Sequence, residues 1–170
     1  MKNILLLFSF VLLISSCERS TSGCTEPAAV NYNINADYDN GSCVFQADVV
    51  FFYNAWTANE LNAADFDRLD FYIEGDPGSY EFVGSEDPTF IYGGIPNCYE
   101  DTYVTATMQW EDSYSTNANY LVYGITYVNI LGLTTEVETL VDEYSFDLYA
   151  NECAAVPIRF LTFQATNANK

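Results

Sequence analysis

Five side-chain oxygens recur at every second position between two cysteines: Asn31, Asn33, Asn35, Asp37 and Asp39. The intervening Tyr32, Ile34, Ala36 and Tyr38 are less polar. In an extended chain this alternation puts all five oxygens on one side. Calcium takes about six to eight hard oxygen ligands at ~2.3–2.6 Å, so the ladder is a candidate calcium site. It is not an EF-hand loop, because with Asp37 first the glycine Gly41 falls at the fifth place instead of the sixth. The competing reading is an Asx-rich turn, whose oxygens accept backbone N–H groups.

Two further sets of residues could do chemistry. The acid pairs Glu86-Asp87, Glu100-Asp101, Glu111-Asp112 and Asp142-Glu143 fall near predicted strand ends. Two carboxylates about 5–9 Å apart can hydrolyse a glycoside, although adjacent acids in loops are ordinarily just solvated. Trp56, Tyr92 and Tyr114 lie in or beside loops, where binding residues concentrate, and their ring faces can stack on neutral sugars. Against this, most of the 14 tyrosines are needed as core, with their hydroxyls at its edge. The chain has no histidine, which excludes a Ser-His-Asp triad, a Cys-His pair and His-ligated zinc. Nucleophilic catalysis thus lacks its usual partners. The expected role is binding or structural, with any ligand at the loops Trp56 to Asp67 and Glu111 to Asn119. The alternative is a carbohydrate-active enzyme or a glycan-binding component of a polysaccharide-uptake system.

The N-terminus sets the compartment. Lys2 precedes an apolar run from Ile4 to Ile14 that is broken only by Ser9. At 1.5 Å per residue this run reaches about half of a ~30 Å hydrocarbon core, so it has the order and length of a secretory signal instead of a span. Ile14-Ser15-Ser16-Cys17 resembles the lipobox of bacterial lipoproteins. The resemblance implies cleavage after residue 16 and lipidation of Cys17. Each buried methylene contributes about 0.8 kcal/mol, so several acyl chains would hold the protein on a membrane durably. It further implies an exported protein of the cell envelope, anchored to the outer membrane on its periplasmic face or at the cell surface.

Removing residues 1–16 takes Lys2 and no acid. It leaves four basic residues against 24 acidic ones, a net charge of −20. Such a chain repels nucleic acid and anionic lipid but not a neutral glycan or an envelope protein. Aromatic residues make up 16% of the sequence, enough ring area for a folded core despite the acidity. With Cys17 lipidated, four cysteines remain, which suggests two disulfides in an exported chain. Four cysteines allow three pairings, and proximity favours Cys24–Cys43 and Cys98–Cys153.

Residues 23–45 form a compact unit with little core of its own. A bridge closing about twenty residues would order it with roughly 3 kcal/mol. Cys24-Thr25, Pro27, Ala29, Asn31-Tyr32, Ala36, Asp39 and Gly41-Ser42-Cys43 resemble a cysteine-bounded repeat of secreted and surface proteins of Bacteroidetes. Val30 and Asp37 stand where members of that family often carry further cysteines, and Ile34 replaces the usual proline. The resemblance implies compartment and bacterial group more than activity.

Short apolar runs then alternate with turns. Strands are expected at Ala47–Asn54, Arg68–Glu74, Tyr80–Val83, Tyr103–Trp110, Tyr120–Leu131, Glu136–Val141, Tyr144–Tyr149 and Ala155–Phe163. Val104, Ala106, Met108 and Trp110 should face the core. Gly124 is a candidate bulge. Thr57-Ala58-Asn59-Glu60 matches a capping box, so Asn59 to Phe66 reads as one or two helical turns or as a plain loop. Glu111 to Asn119 reads as a hairpin loop. This spacing suggests an all-β fold, a two-sheet antiparallel sandwich. It is similar to the small immunoglobulin- or transthyretin-like sandwich domains of Bacteroidetes lipoproteins. The expected division is a signal segment 1–16, a tether 17–22, the disulfide-closed module 23–45, the sandwich 46–164 and a polar tail 165–170.

Overall fold

A computed structural model describes residues 20–90, 93–100 and 102–160. Cys17, the signal segment and the polar tail lie outside the described residues. The strands are β1 (Ser22–Gly23), β2 (Tyr38–Asp39), β3 (Val44–Phe52), β4 (Arg68–Glu74), β5 (Tyr80–Glu86), β6 (Thr105–Glu111), β7 (Ser115–Ile130), β8 (Leu133–Tyr149) and β9 (Cys153–Pro157). One helix, α1 (Ala55–Ala63), follows β3. The chain folds as a β-sandwich of a three-stranded sheet, β6-β3-β9, and a four-stranded sheet, β5-β4-β7-β8. Within the sandwich β9 departs from the antiparallel expectation by running parallel to β3, and in the N-terminal module β1 and β2 also pair in parallel.

Period-two alternation decides what faces inward. Ala47, Val49 and Phe51 of β3 meet Leu69, Phe71 and Ile73 of β4 and Ala118, Tyr120 and Val122 of β7. Phe51 is the centre of this layer, with its ring 5.3 Å from Phe71 and 5.5 Å from Tyr120. Val104 is buried, and Ala106, Met108 and Trp110 pack against the cores from β6, as their alternation predicts.

Both disulfides form, Cys24–Cys43 and Cys98–Cys153. The first closes the N-terminal module, which shares a second small core with the sandwich. There Cys24, Ala29 and Cys43 pack with Phe45 at the start of β3 and Ala150 in the β8–β9 turn. Asn151 reinforces the contact by donating its side-chain amide to the Ala28 carbonyl at 3.0 Å.

Four local expectations are corrected. Helix α1 begins before Thr57, because Asn54 takes the capping role and its Oδ1 accepts the Thr57 N–H at 2.9 Å. Thr57 is instead buried in the first turn. Glu111 to Asn119 is not a hairpin loop, since β6 and β7 belong to different sheets and only residues 112–114 separate them. Asp112 makes this tight crossing with a left-handed φ of 75°. Gly124 is not a bulge but a seat for Phe66, whose ring would lie 2.5 Å from any Cβ there. The bulge sits opposite, at Val141, where the register slips between Val122 and Tyr123. The two strands expected at Glu136–Val141 and Tyr144–Tyr149 are therefore one continuous β8.

The β7–β8 hairpin outgrows its sheet. The last β7 residue paired with β4 is Ile125, opposite Arg68. Beyond it the two strands pair only with each other, out to Ile130 and Leu133. Leu131 and Gly132 make the turn with φ of 54° and 86°. Leu131 is fully exposed.

Candidate functional site

In the N-terminal module the oxygen ladder does not survive folding as a ladder. Residues 27–35 run mainly as turns and not as an extended strand, so the alternation no longer puts the oxygens on one side. Asn31 Oδ1 accepts the Val44 N–H, Asn33 Oδ1 the Asn35 N–H, Asp37 Oδ2 the Thr21 N–H and Asp39 Oδ1 the Gly41 N–H. The bonds of Asn33 and Asp39 form Asx-type turns, while those of Asn31 and Asp37 tie the module to the start of β3 and to the segment before β1. Asn35 contributes its backbone N–H to that set. Among the described residues no three Asp, Glu or Cys side chains are grouped so as to hold a metal ion.

The aromatic loop residues are not brought together. Trp56 projects from α1, just past the C-terminal end of β3, and is 63% exposed. Tyr114 lies beyond Glu111, which pairs with Val44 at the opposite end of β3, and its ring is 6.3 Å from Tyr149. The nine residues of β3 separate the two by something on the order of 30 Å. Tyr92 lies outside the described residues, as does Asp101.

The acid pairs also scatter. Glu111 and Asp112 are exposed at the sheet crossing. Asp87 caps its own turn, with Oδ1 accepting from the Thr89 N–H and hydroxyl, and this holds its carboxyl below the usual range. Its neighbour Glu86 is pushed the other way by burial. Asp142 is buried at 3% exposure while Glu143, next in the strand, faces solvent.

Two surface features were not singled out from sequence. The first is a groove of about 440 Å³ between β8 and β9, which are edge strands of different sheets. Tyr144, Phe146, Val156 and Pro157 supply an apolar lining. Asp142 closes the groove's inner wall, where Oδ2 accepts the Tyr120 hydroxyl at 2.7 Å and the Arg159 N–H at 2.8 Å. Burial, and then the bond to Asp142, push the Tyr120 hydroxyl far above its ordinary pKa, so it stays a donor at all physiological pH. The Arg159 guanidinium lies 5.7 Å over the Tyr144 ring.

The second feature is the solvent face of the four-stranded sheet. Tyr72 of β4 stands between Phe82 of β5, at 5.6 Å, and Tyr123 of β7, at 5.8 Å, edge-on to both rings. Beside this row Asn119 donates to Glu74 and accepts from the Ser145 hydroxyl. Asn119, followed by the Gly78 N–H, holds the Glu74 carboxyl below the usual range, so it is an ionised acceptor at neutral pH. On the other side of the row, Arg68 grips Asp70 with two bonds of 2.7 and 2.8 Å, and Ser85 donates to Asp70 at 2.7 Å. Burial raises the Asp70 carboxyl, but Arg68 and Ser85 together outweigh it and hold it below the usual range. The available sequence signal was parity: Leu69, Phe71 and Ile73 fill the inward face of β4, leaving Tyr72 an aromatic residue on the face expected to be polar.

No family model, no curated protein and no solved structure matches this chain.

Proposed function

We propose that this protein is a lipid-anchored component of the cell envelope with a binding role and no catalytic one. The lipobox residues Ile14 to Cys17 support the anchor. Two disulfides in a chain with four cysteines beyond Cys17 suit an exported domain. The observation that carries the binding role is how the buried carboxylates are used. Asp142 is held by Tyr120 and the Arg159 backbone, and Asp70 by Arg68 and Ser85. Both are structural acceptors with ordinary partners, and beside Asp142 the molecule offers a shaped, mostly apolar groove.

Two measurements test the parts separately. Cys17→Ala should abolish acyl labelling and leave the precursor unprocessed. Normal processing and membrane retention of that variant would defeat the anchor. For the second part, the purified protein should release no reducing ends from any polysaccharide. Turnover that disappears in Asp142→Asn or Glu111→Gln would replace the binding role with an enzymatic one.

A further inference from the structure

We infer that the solvent face of the four-stranded sheet is a binding site for a neutral glycan chain, centred on Phe82, Tyr72 and Tyr123. This rests on the binding role proposed above and names its place and ligand class.

The starting observation is a ring row where folding does not ask for one. Phe82 is 56% exposed and Tyr80, next outward on β5, is 37% exposed. A β-bulge between Phe71 and Tyr72 of the β4–β5 pair lets Val83 turn inward while Phe82 remains on the solvent side. The rings meet edge to face and not face to face, at interplanar angles of 67° and 87°. Each edge contact covers part of a neighbouring face, so the open stacking surface is chiefly that of Phe82 and Tyr80, with Tyr72 and Tyr123 half-buried beside them.

What surrounds the rings selects the ligand. A dry protein contact centres on apolar side chains with charge excluded to the rim. Here fixed polar groups sit directly beside the rings. Glu74, Asn119 and Ser145 form one hydrogen-bonded chain across β4, β7 and β8. A depression of about 350 Å³ opens at this chain, with Tyr80, Asn119, Glu143 and Ser145 in its wall. An ionised Glu74 and the Asn119 oxygen offer acceptors for hydroxyl groups, and the second Asn119 N–H offers a donor. Sugars present that combination: C–H faces for rings and a rim of hydroxyls for carboxylate and amide. The sign of the charge removes the other polymers. Glu74, Glu138 and Glu143 lie around the row, and the cation beside it, Arg68, is paired to Asp70, on a chain whose formal net charge is −19. Phosphate, sulfate and uronate chains would be repelled. The groups lie on paired strands, so little freedom is lost on binding.

The test uses the full chain purified in detergent against a panel of soluble neutral glucans, mannans, xylans and galactans, read by affinity electrophoresis and calorimetry. Binding to at least one is expected. Phe82→Ala and Tyr72→Ala should weaken it tenfold or more, Asn119→Ala severalfold, and Gln109→Ala on the opposite sheet not at all. Melting temperatures measured alongside exclude loss of fold, and Phe82 is exposed enough for its removal to be tolerated. Binding that survives in the Phe82→Ala/Tyr72→Ala double variant but is lost in Phe146→Ala would place the ligand in the groove. That would overturn this inference and leave the binding role standing. Failure to bind every neutral polysaccharide overturns it as well. Should wild type, but not Phe82→Ala, retain a protein partner in that case, the face is a protein contact. Shortened polysaccharide products would overturn the binding role itself.

Discussion

The two sheets of this sandwich turn very different faces to water. On the three-stranded sheet, Gln109 of β6 bonds to Gln46 of β3 at 2.9 Å, and Thr107 bonds to Asp48 at 2.7 Å. These are polar cross-strand pairs of the kind a solvated sheet uses to satisfy itself. The Cys98–Cys153 bridge then ties the segment before β6 to β9, whose Cys153 is in register with Asp48. On the four-stranded sheet the equivalent positions carry Phe82, Tyr72 and Tyr123. Around these pairs the three-stranded sheet meets solvent as the aromatic row does, while Val50, further along the same side of β3, is fully buried. The polar face shows what folding alone requires. The aromatic face exceeds it, and the excess is what the glycan inference explains.

The largest expected effect lies on the polar side. Removing the Cys98–Cys153 bridge with a double alanine variant frees a loop of 55 residues and should lower stability by about 4 kcal/mol. Urea unfolding measures it. A loss under about 1 kcal/mol would mean that the face is held without its covalent tie, and the contrast with the other sheet would shrink.

A smaller effect is expected from the ion pair under the aromatic row. Asp70→Asn leaves Arg68 with Glu136, at 3.8 Å, and with the hydroxyl and ring of Tyr127, and should cost about 1 kcal/mol once the part-exposure of Arg68 is allowed for. The pH dependence gives the sign. The folded Asp70 carboxyl sits below its unfolded value, so its contribution is fully present above roughly pH 4 and is lost as pH falls through the folded value. The acid limb of the melting curve should therefore be flatter in Asp70→Asn. An unchanged limb would mean that Asp70 is not what the face relies on in acid.

The smallest effect sharpens the comparison most. If the aromatic row serves a ligand and not the fold, Phe82→Thr should cost less than about 1 kcal/mol, no more than an ordinary cross-strand pair contributes. Gln109→Thr on the polar face should cost about as little. A loss of several kcal/mol at Phe82 would show the row to be part of the core, by calorimetric melting, and would remove the reason for seeking a ligand there.

How much of this was readable in advance depended on whether the signal was local. β4 was legible to its ends because Leu69, Phe71 and Ile73 alternate cleanly and Gly75-Asp76-Pro77-Gly78 stops them. Both disulfides followed from proximity. The parallel β3–β9 pair was not legible, since two strands a hundred residues apart leave no local trace of their direction. Nor was the crossing at 112–114, because a turn between sheets and a hairpin turn use the same residues. Asn54 was missed as the helix cap because the Thr57–Glu60 spacing offered a competing one. The aromatic row was hidden for a similar reason. With 12 Phe and 14 Tyr, ring content says little until the register shows which rings lie on the wet side.

The overgrown β7–β8 hairpin gives the molecule a direction. β7 begins at Ser115, close to the end where the cysteine-closed module docks, and its 16 residues run away from that end for roughly 50 Å. If Cys17 carries lipid, the module is the part next to it in the chain, and the hairpin tip lies at the other end of β7 from the module. The length of β7 is several times the ~8 Å over which surface charge is felt in physiological salt. With the module toward the bilayer, the bare Leu131 at the tip would stand outside the electrical influence of the lipid headgroups, sampling whatever occupies the next layer outward.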